Sequence, residues 1–264
     1  MILALILFIL TYVGLLALSD KRAWVALISA ALFVLLGILP VGDVLGAVDF
    51  NVLMMIAGTM GIVSLFIDSN MPSLLADLIL ERTPNVKWAV VFLALFAGIV
   101  SAFVDNVATV LMVAPVALAV SERLKINPVP VIISIAVSSN LQGAATLVGD
   151  TTSILLGGYA GMDFLDFFWF QGKPGIFWAV ELGAVLSAIV LLWLFRKETG
   201  SVSVSERAKV TDYVPTILLV GTVALLICAS FIPNKPSITN GLICMGLMVV
   251  GLVYTYLRTR DIKK

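Results

Sequence analysis

The stretch FVDNVATVLMVAP, from Phe103 to Pro115, places an aspartate and an asparagine side by side in the middle of a hydrophobic run. No charged residue other than Asp105 lies between Val90 and Val120. An ionisable group inside such a segment costs about 2.5–3.5 kcal/mol on the insertion scale, and it is normally retained for function. The location of Asp105 in the fold is therefore the first question that this sequence raises.

The composition is that of a membrane protein. Hydrophobic residues make up 61% of the 264 residues and charged residues 12%, with a mean hydropathy of +1.14, whereas a soluble domain carries roughly a quarter charged residues. The sequence predicts an all-α, polytopic membrane protein that contacts the lipid bilayer and has no nucleic-acid partner. It contains no histidine and shows no nucleophile–base pair or metal-ligand cluster, so we expect neither an enzyme nor a cofactor.

Hydropathy divides the chain into eight apolar segments, and two of them have the wrong length for one span. Trp88–Val120 is too long for a single span of about 20 residues and too short for two spans with a turn. Pro130–Tyr159 is interrupted by the polar, small-residue run SSNLQGAATLVGDTTS. The six single-span candidates are Ile2–Leu18, Trp24–Leu39, Phe50–Ile67, Ile176–Phe195, Val214–Ile232 and Thr239–Tyr256.

The distribution of basic residues predicts how these segments cross the membrane, because cytoplasmic loops collect Lys and Arg. If Trp88–Val120 enters and returns on the same side, one face holds fourteen basic residues and the other holds two; a full crossing would give six against ten. We therefore expect a re-entrant hairpin in the inner (plasma) membrane, an N-terminus outside and a cytoplasmic C-terminus. The fourteen are Lys21, Arg22, Arg82, Lys87, Arg123, Lys125, Arg196, Lys197, Arg207, Lys209, Arg258, Arg260, Lys263 and Lys264, and the two are Lys173 and Lys235.

This topology puts Asp105 at the tip of the hairpin, where backbone amides lose their helical partners. Non-helical backbone at membrane depth is tolerated where it is buried in protein or lines a watery cavity. Asp105 is therefore a candidate for ion binding or protonation. The alternative is that Asp105 and Asn106 only cap the second arm of the hairpin, since both residue types are good N-caps. The two roles are compatible.

The second interrupted segment predicts a discontinuous helix, with one half ending near Ser139 and the other starting near Asp150 or Thr151. Such breaks expose carbonyl groups suited to Na⁺ at one end and amides suited to anions at the other. Oxygen ligands favour a hard cation. A packing interface of small residues would explain Gly143 and its neighbouring alanines, but not Asn140 or Asp150 on the same segment.

These features give a set of candidate substrate- or ion-binding residues. The set consists of Asp105, Asn106, Ser139, Asn140, Gly143, Thr146, Asp150 and Thr151. Glu181 is outside this set: it either lines the same cavity as these residues or extends to the membrane surface.

The two motifs resemble the ion transporter superfamily, which includes arsenite pumps, citrate and dicarboxylate carriers of the divalent anion/sodium symporter family, and D-type sodium/proton antiporters. SAFVDNVATVLMVAPVAL (101–118) resembles the re-entrant hairpin tip of that group, and NPVPVIISIAVSSNLQGAATLVGDTTSILLGGYAGMDFLDFF (127–168) resembles its broken helix. The earlier VDFNVLMMIAGTMGIVSLFIDS (48–69) is similar to the helix that precedes them.

The resemblance implies an elevator-type carrier built from two inverted repeats. Residues 1–195 match a complete first repeat, with the hairpin at 88–120 and the broken helix at 130–159. Residues 196–212 read as a cytoplasmic linker, and 213–264 as the start of a second repeat that is incomplete. We therefore expect the chain to be part of a larger or split carrier, with a second polypeptide completing the repeat. A homodimer is the alternative partner.

The resemblance also implies the function. In the dicarboxylate carriers a Ser-Asn-Thr tip contacts the substrate carboxylate, and Na⁺ lies between the tip and the broken helix. Asn106 matches the asparagine of that tip, so the resemblance implies that Asn106 contacts the substrate. Na⁺ would be held at Asp105, Asn106, Ser139 and Gly143. We expect transport of an inorganic oxyanion or small carboxylate coupled to Na⁺ or H⁺. Na⁺/H⁺ antiport is the first alternative, because Gly149-Asp150-Thr151-Thr152-Ser153 looks closer to the antiporters than a proline-containing motif does. A non-transporting fragment or assembly partner is the second.

Overall fold

The computed structural model describes residues 2–124, 126–198, 200 and 207–262, and the regular secondary structure of this part of the chain is almost all helix. Lys125, Lys263 and Lys264 of the charge count lie outside the described residues, as does much of the predicted linker 196–212. The helices are α1 (Ile2–Ala17), α2 (Arg22–Leu35), α3 (Phe50–Asp68), α4 (Met71–Glu81), α5 (Val86–Ser101), α6 (Asn106–Leu124), α7 (Pro128–Gly143), α8 (Thr151–Ala160), α9 (Ile176–Leu194), α10 (Val214–Ser230) and α11 (Thr239–Ile262). The prediction of an all-α membrane protein is confirmed.

The chain divides into two compact units, Met1–Asp49 and Phe50–Lys264. In the first unit, α1 and α2 are bent by 113° relative to one another. Gly14 lets the helices approach, since a Cβ at this position would lie 3.0 Å from Val25 Cγ1. The bent pair, rather than either helix alone, has the length and hydropathy of a membrane span.

Within the described residues of the second unit, three helices are long and apolar enough to cross a membrane: α3, α9 and Thr239–Thr259 within α11. These and the shorter apolar helix α10 match the predicted segments within a few residues. The helix α4 was not predicted, because Met71–Glu81 carries an acidic residue inside its sequence and another at its end and, with 11 residues, is too short for a span. Between α8 and α9, β1 (Trp169–Phe170) and β2 (Lys173–Pro174) form a small antiparallel hairpin.

The helices α3 and α11 run in the same direction and cross at glycines. A Cβ at Gly58 would lie 2.4 Å from the carbonyl carbon of Cys244, one at Gly61 would lie 2.5 Å from the Met248 side chain, and one at Gly251 would lie 2.7 Å from Leu65. Residues later in α3 therefore contact residues later in α11, which is the pattern of two parallel helices. Two spanning helices with the same direction require an odd number of crossings between them. The broken helix α7–α8, α9 and α10 provide three if the hairpin returns to its own side, whereas a hairpin that crossed would make four.

The arms of the hairpin are α5 and α6, and both lie beside α7. The last residue of α7, Gly143, meets Ser101 at the end of α5, and Asn140 on α7 bonds Asn106 at the start of α6. Only a short connection separates the end of α6 from Pro128 at the start of α7. The tip therefore lies at one end of α7 and both arms point to the other, as predicted. An apolar core containing residues of α4, α5, α6 and α7 holds this arrangement together.

Two ion pairs attach the later parts of the unit to the earlier ones. Arg207 donates two hydrogen bonds to Glu81 at the end of α4, from Nε to Oε1 at 2.6 Å and from Nη2 to Oε2 at 2.7 Å. These hydrogen bonds lower the pKa of the Glu81 carboxyl. Lys235 Nζ lies 2.6 Å from Asp163 Oδ1, with its side chain 12% exposed, and it also donates to the Asn240 side chain at 3.3 Å.

Candidate functional site

Two chain breaks meet beside α3. The break in the hairpin covers Ala102 to Asp105, between α5 and α6, and the break in the second element covers Ala144 to Asp150, between α7 and α8. Both were predicted from polar residues in the apolar sequence. The helix ends at these breaks leave backbone groups without helical partners, so the surrounding side chains must satisfy them.

Asp105 caps α6. Its Oδ2 accepts a hydrogen bond from the Ala108 amide at 3.1 Å, and its carbonyl accepts one from the Thr109 amide at 2.9 Å. Capping, which was the alternative role for this residue, is therefore present in the structure. It uses one carboxylate oxygen, and Asp105 also borders a cavity described below.

The hairpin tip is bonded to the broken helix through polar side chains. Asn106 Nδ2 donates to Asn140 Oδ1 at 2.6 Å, and Ser139 Oγ donates to the Asn106 carbonyl at 3.1 Å. Thr146 Oγ1 donates to the carbonyl of Ala102. Four of the predicted residues thus join the two breaks. Asn140 is exposed, whereas Ser139 and Thr146 are buried.

Backbone carbonyls from both broken elements converge on Gly149. A Cβ at this position would lie 2.5 Å from the Gly143 oxygen, 2.6 Å from the Ser101 oxygen and 2.7 Å from the Ala102 oxygen. These carbonyls belong to the C-terminal ends of α5 and α7, which carry partial negative charge. The Ser101 hydroxyl is buried there and has no hydrogen-bond partner among the residues that the structure describes.

A small cavity lies between the two breaks and α3. Its volume is about 10 Å³, which is roughly the space that one water molecule needs. Asp105 and Asp150 both border it. The complete lining is Thr59, Met60, Val63, Asp105, Val148, Gly149, Asp150, Thr151 and Ile154.

Asp150 stands at the N-terminus of α8. Its carbonyl accepts hydrogen bonds from the Ser153 and Ile154 amides at 3.0 and 3.1 Å, while its side chain does not cap the helix. The carboxylate instead accepts hydrogen bonds from Thr151 Oγ1 at 3.3 Å and Thr152 Oγ1 at 3.0 Å. A negative group at this helix end is favoured by the helix dipole.

The predicted residues therefore form three connected groups. Asp105, Asp150 and Thr151 border the cavity, the Asn106–Ser139–Asn140 group and Thr146 join the breaks, and Gly143 supplies a carbonyl near Gly149. Whether they bind an ion or a substrate stays a prediction. Glu181, on α9, is half-buried and does not line this cavity.

Sequence reasoning missed the contributions of α3 and α5. Thr59 lines the cavity and donates to the Met55 carbonyl at 2.8 Å, and the buried Ser101 hydroxyl faces Gly143. The available signal for Thr59 was a lone hydroxyl between Gly58 and Met60 in an apolar helix, which is also typical of an ordinary packed span.

Comparison with known proteins adds the family context. A family model described as citrate transporter matches residues 4–260. An uncharacterized transporter of Mycobacterium tuberculosis is 32% identical over 232 residues, covering 82% of this chain and 52% of the relative. The 46 kDa membrane protein of Mycobacterium leprae is 31% identical over 265 residues, covering 96% of this chain and 60% of the relative. The P protein of Mus musculus is 34% identical over 110 residues, covering 41% of this chain and 13% of the relative. The chain spans about half the length of the first relatives.

Proposed function

Because the chain belongs to the citrate transporter family, we propose that it carries an ion-coupling site of a membrane transporter for a small anion. The family match confirms the resemblance to the ion transporter superfamily that the hairpin and broken-helix motifs indicated. The coupling ion in this proposal is Na⁺ or H⁺, and the anion is a small carboxylate or an inorganic oxyanion.

The observation that carries the proposal is the pair of carboxylates at one water-sized cavity. Asp105 comes from the hairpin break and Asp150 from the broken helix, and both border the same space of about 10 Å³. A space of this size accommodates a single small ion or water molecule, but not a carboxylic acid of several carbons. We therefore assign the cavity to the coupling ion rather than to the anion.

The oxygen groups around the cavity suit this assignment. The Asp105 and Asp150 carboxylates and the Thr151 hydroxyl are hard donors of the kind that alkali and alkaline-earth cations take. The converging carbonyls beside Gly149 add negative potential from behind the cavity. Na⁺ would be coordinated by these oxygens, whereas in a proton-coupled mechanism one of the two carboxylates would take up the proton.

The anion would bind beside the cavity at the Asn106–Asn140 pair. Asn140 is exposed, and its amide lies next to the first turn of α6, where unpaired amides favour negative groups. A cation in the cavity would strengthen this attraction, which gives a physical basis for coupling ion binding to anion binding.

The first test measures ion binding directly in the purified chain. We expect Na⁺, compared with K⁺ at equal ionic strength, to raise the unfolding temperature of the wild type, and expect Asp105→Asn and Asp150→Asn each to remove this difference. Glu122→Gln is the matched control, because Glu122 is an exposed carboxylate at the far end of α6. If both Asn variants keep the full Na⁺ effect, the cavity does not hold Na⁺.

Na⁺/H⁺ antiport is the second candidate function, and the same pair of carboxylates favours it. Two acids at one small cavity can exchange protons for a cation without any anion. Proteoliposome assays separate the candidates: uptake of labelled citrate or arsenite driven by a Na⁺ or proton gradient supports anion transport. A Na⁺-driven change of internal pH that needs no added anion supports antiport.

A further inference from the structure

A groove of about 340 Å³ lies along the first arm of the hairpin, and it shares no lining residue with the Asp105 cavity. It is formed where the end of α4 meets one face of α5. Its lining residues are Ile79, Arg82, Phe92, Leu95, Phe96 and Ile99.

The α5 side of the groove faces outward and is apolar. Phe92, Leu95, Phe96 and Ile99 follow the i, i+3, i+4, i+7 pattern of a single helix face. Phe92 is 39% and Ile99 59% exposed. The distance from the first to the last of these residues is roughly 10 Å along the helix. In a bilayer such a groove contacts hydrocarbon rather than water.

Arg82 is the charged member among the groove-lining residues. It is exposed and forms the C-cap of α4. The neighbouring acid, Glu81, already receives two hydrogen bonds from Arg207. Among the described residues, the Arg82 guanidinium therefore has no carboxylate partner within salt-bridge distance and keeps its five N–H donors for another group.

A second cation stands at the same end of α5. The Lys87 ammonium lies 5.6 Å from the centroid of the Trp88 ring, and Trp88 stacks on Phe92 of the groove with centroids 5.3 Å apart. Tryptophan is enriched at the membrane–water interface. The positive end of the groove is thus at headgroup level, and its apolar end extends toward the hairpin tip.

From this arrangement we propose that the groove binds one anionic phospholipid, with the phosphate at Arg82 and an acyl chain along Phe92, Phe96 and Ile99. Charge complementarity selects this occupant: a guanidinium binds phosphate oxygens in a bidentate geometry, and the cytoplasmic leaflet, where the charge pattern puts Arg82, is rich in anionic lipid. The lipid would link α4 to the hairpin arm that leads to Ser101 and the ion cavity.

The test measures lipid retention by the purified chain. Native mass spectrometry would be carried out after reconstitution in nanodiscs of phosphatidylcholine containing a titrated fraction of phosphatidylglycerol. We expect one phosphatidylglycerol retained in preference to phosphatidylcholine, and expect Arg82→Gln to weaken its retention about fivefold, the effect of removing one cation near the surface.

Two further variants make the result specific. Arg196→Gln is the matched control, because Arg196 is an exposed cation that stacks on Trp193 and does not line the groove; it should retain the lipid like the wild type. Ile99→Trp fills the apolar end, and we expect it to displace the lipid without changing the oligomeric mass. Equal retention of both lipids, equal loss in the Arg82 and Arg196 variants, or a dimer that Ile99→Trp dissociates would each overturn the proposal.

Discussion

Replacing Gly149 by alanine tests the convergence of carbonyls at the centre of the site. The new Cβ would lie 2.5, 2.6 and 2.7 Å from the oxygens of Gly143, Ser101 and Ala102, all well inside van der Waals contact. The three oxygens are backbone atoms at helix ends, so they cannot move away as a flexible side chain can. Overpacking in a well-packed core costs about 1–3 kcal/mol. Because three backbone groups are involved, we expect the upper end, about 3 kcal/mol.

The assay is thermal unfolding of the purified chain. A loss of this size corresponds to a decrease of roughly 6–12 °C in unfolding temperature for a chain of this length. The backbone at Gly149 is not left-handed, so alanine brings no conformational strain of its own. Gly221→Ala is the matched control, because a Cβ there would meet nothing within 4 Å. Replacing a helical glycine by alanine is stabilising by up to about 1 kcal/mol. A Gly149→Ala protein that unfolds within 2 °C (about 1 kcal/mol) of the wild type would refute the convergence.

Three other outcomes follow from the structure. Ser101→Ala should leave stability in K⁺ unchanged or raise it by about 1 kcal/mol, because it removes a buried hydroxyl without a partner; a clear loss of unfolding temperature in K⁺ would show that the hydroxyl is satisfied. Asp163→Asn should cost about 2 kcal/mol, less than for a fully buried pair because Asp163 is 32% exposed. In a protein that already carries Lys235→Met, Asp163→Asn should cost far less stability. Equal losses of stability with and without Lys235→Met would contradict the pairing of Lys235 with Asp163. The pKa of Glu81 is lowered in the folded chain. Its ion pair with Arg207 therefore contributes fully above the ordinary value of 4.5 and is lost as pH falls through the lower, folded value. The protection of the Ala208 amide, taken relative to its intrinsic exchange rate at each pH, should fall over that range, and Arg207→Gln should lower this protection already above pH 4.5.

The two chain breaks could be predicted because membrane helices rarely contain charged or amide side chains without a reason. Asp105 and Asn106 in one apolar run, and Asn140 and Asp150 in the next, marked both interruptions within a few residues of their observed positions. The distribution of basic residues further predicted that the hairpin returns to the side of the membrane from which it enters. The parallel course of α3 and α11 agrees with it.

The remaining parts of the site depend on packing that leaves no clear mark in the sequence. Thr59 bonds its own helix at Met55, as a threonine in any span does, so nothing in the local sequence indicates its place at the cavity. The helix α4 could not be predicted from its own sequence, because its position depends on packing against α5. It also depends on the ion pair between Glu81 and Arg207, which lies more than a hundred residues later. The convergence on Gly149 brings together three segments, which no local pattern describes.

The glycine-lined crossing of α3 and α11 has a consequence for biosynthesis. Asn51 and Gly241, which are joined there by a side-chain-to-backbone hydrogen bond, are separated by 190 residues. At a synthesis rate of about 5–20 residues per second, the ribosome needs roughly 10–40 s to produce the second partner after the first. During that interval the small-residue face of α3 is already inserted and uncovered. Slowing elongation before the codons for α11 would lengthen this exposure, and with it the time in which a foreign helix can occupy the place of α11.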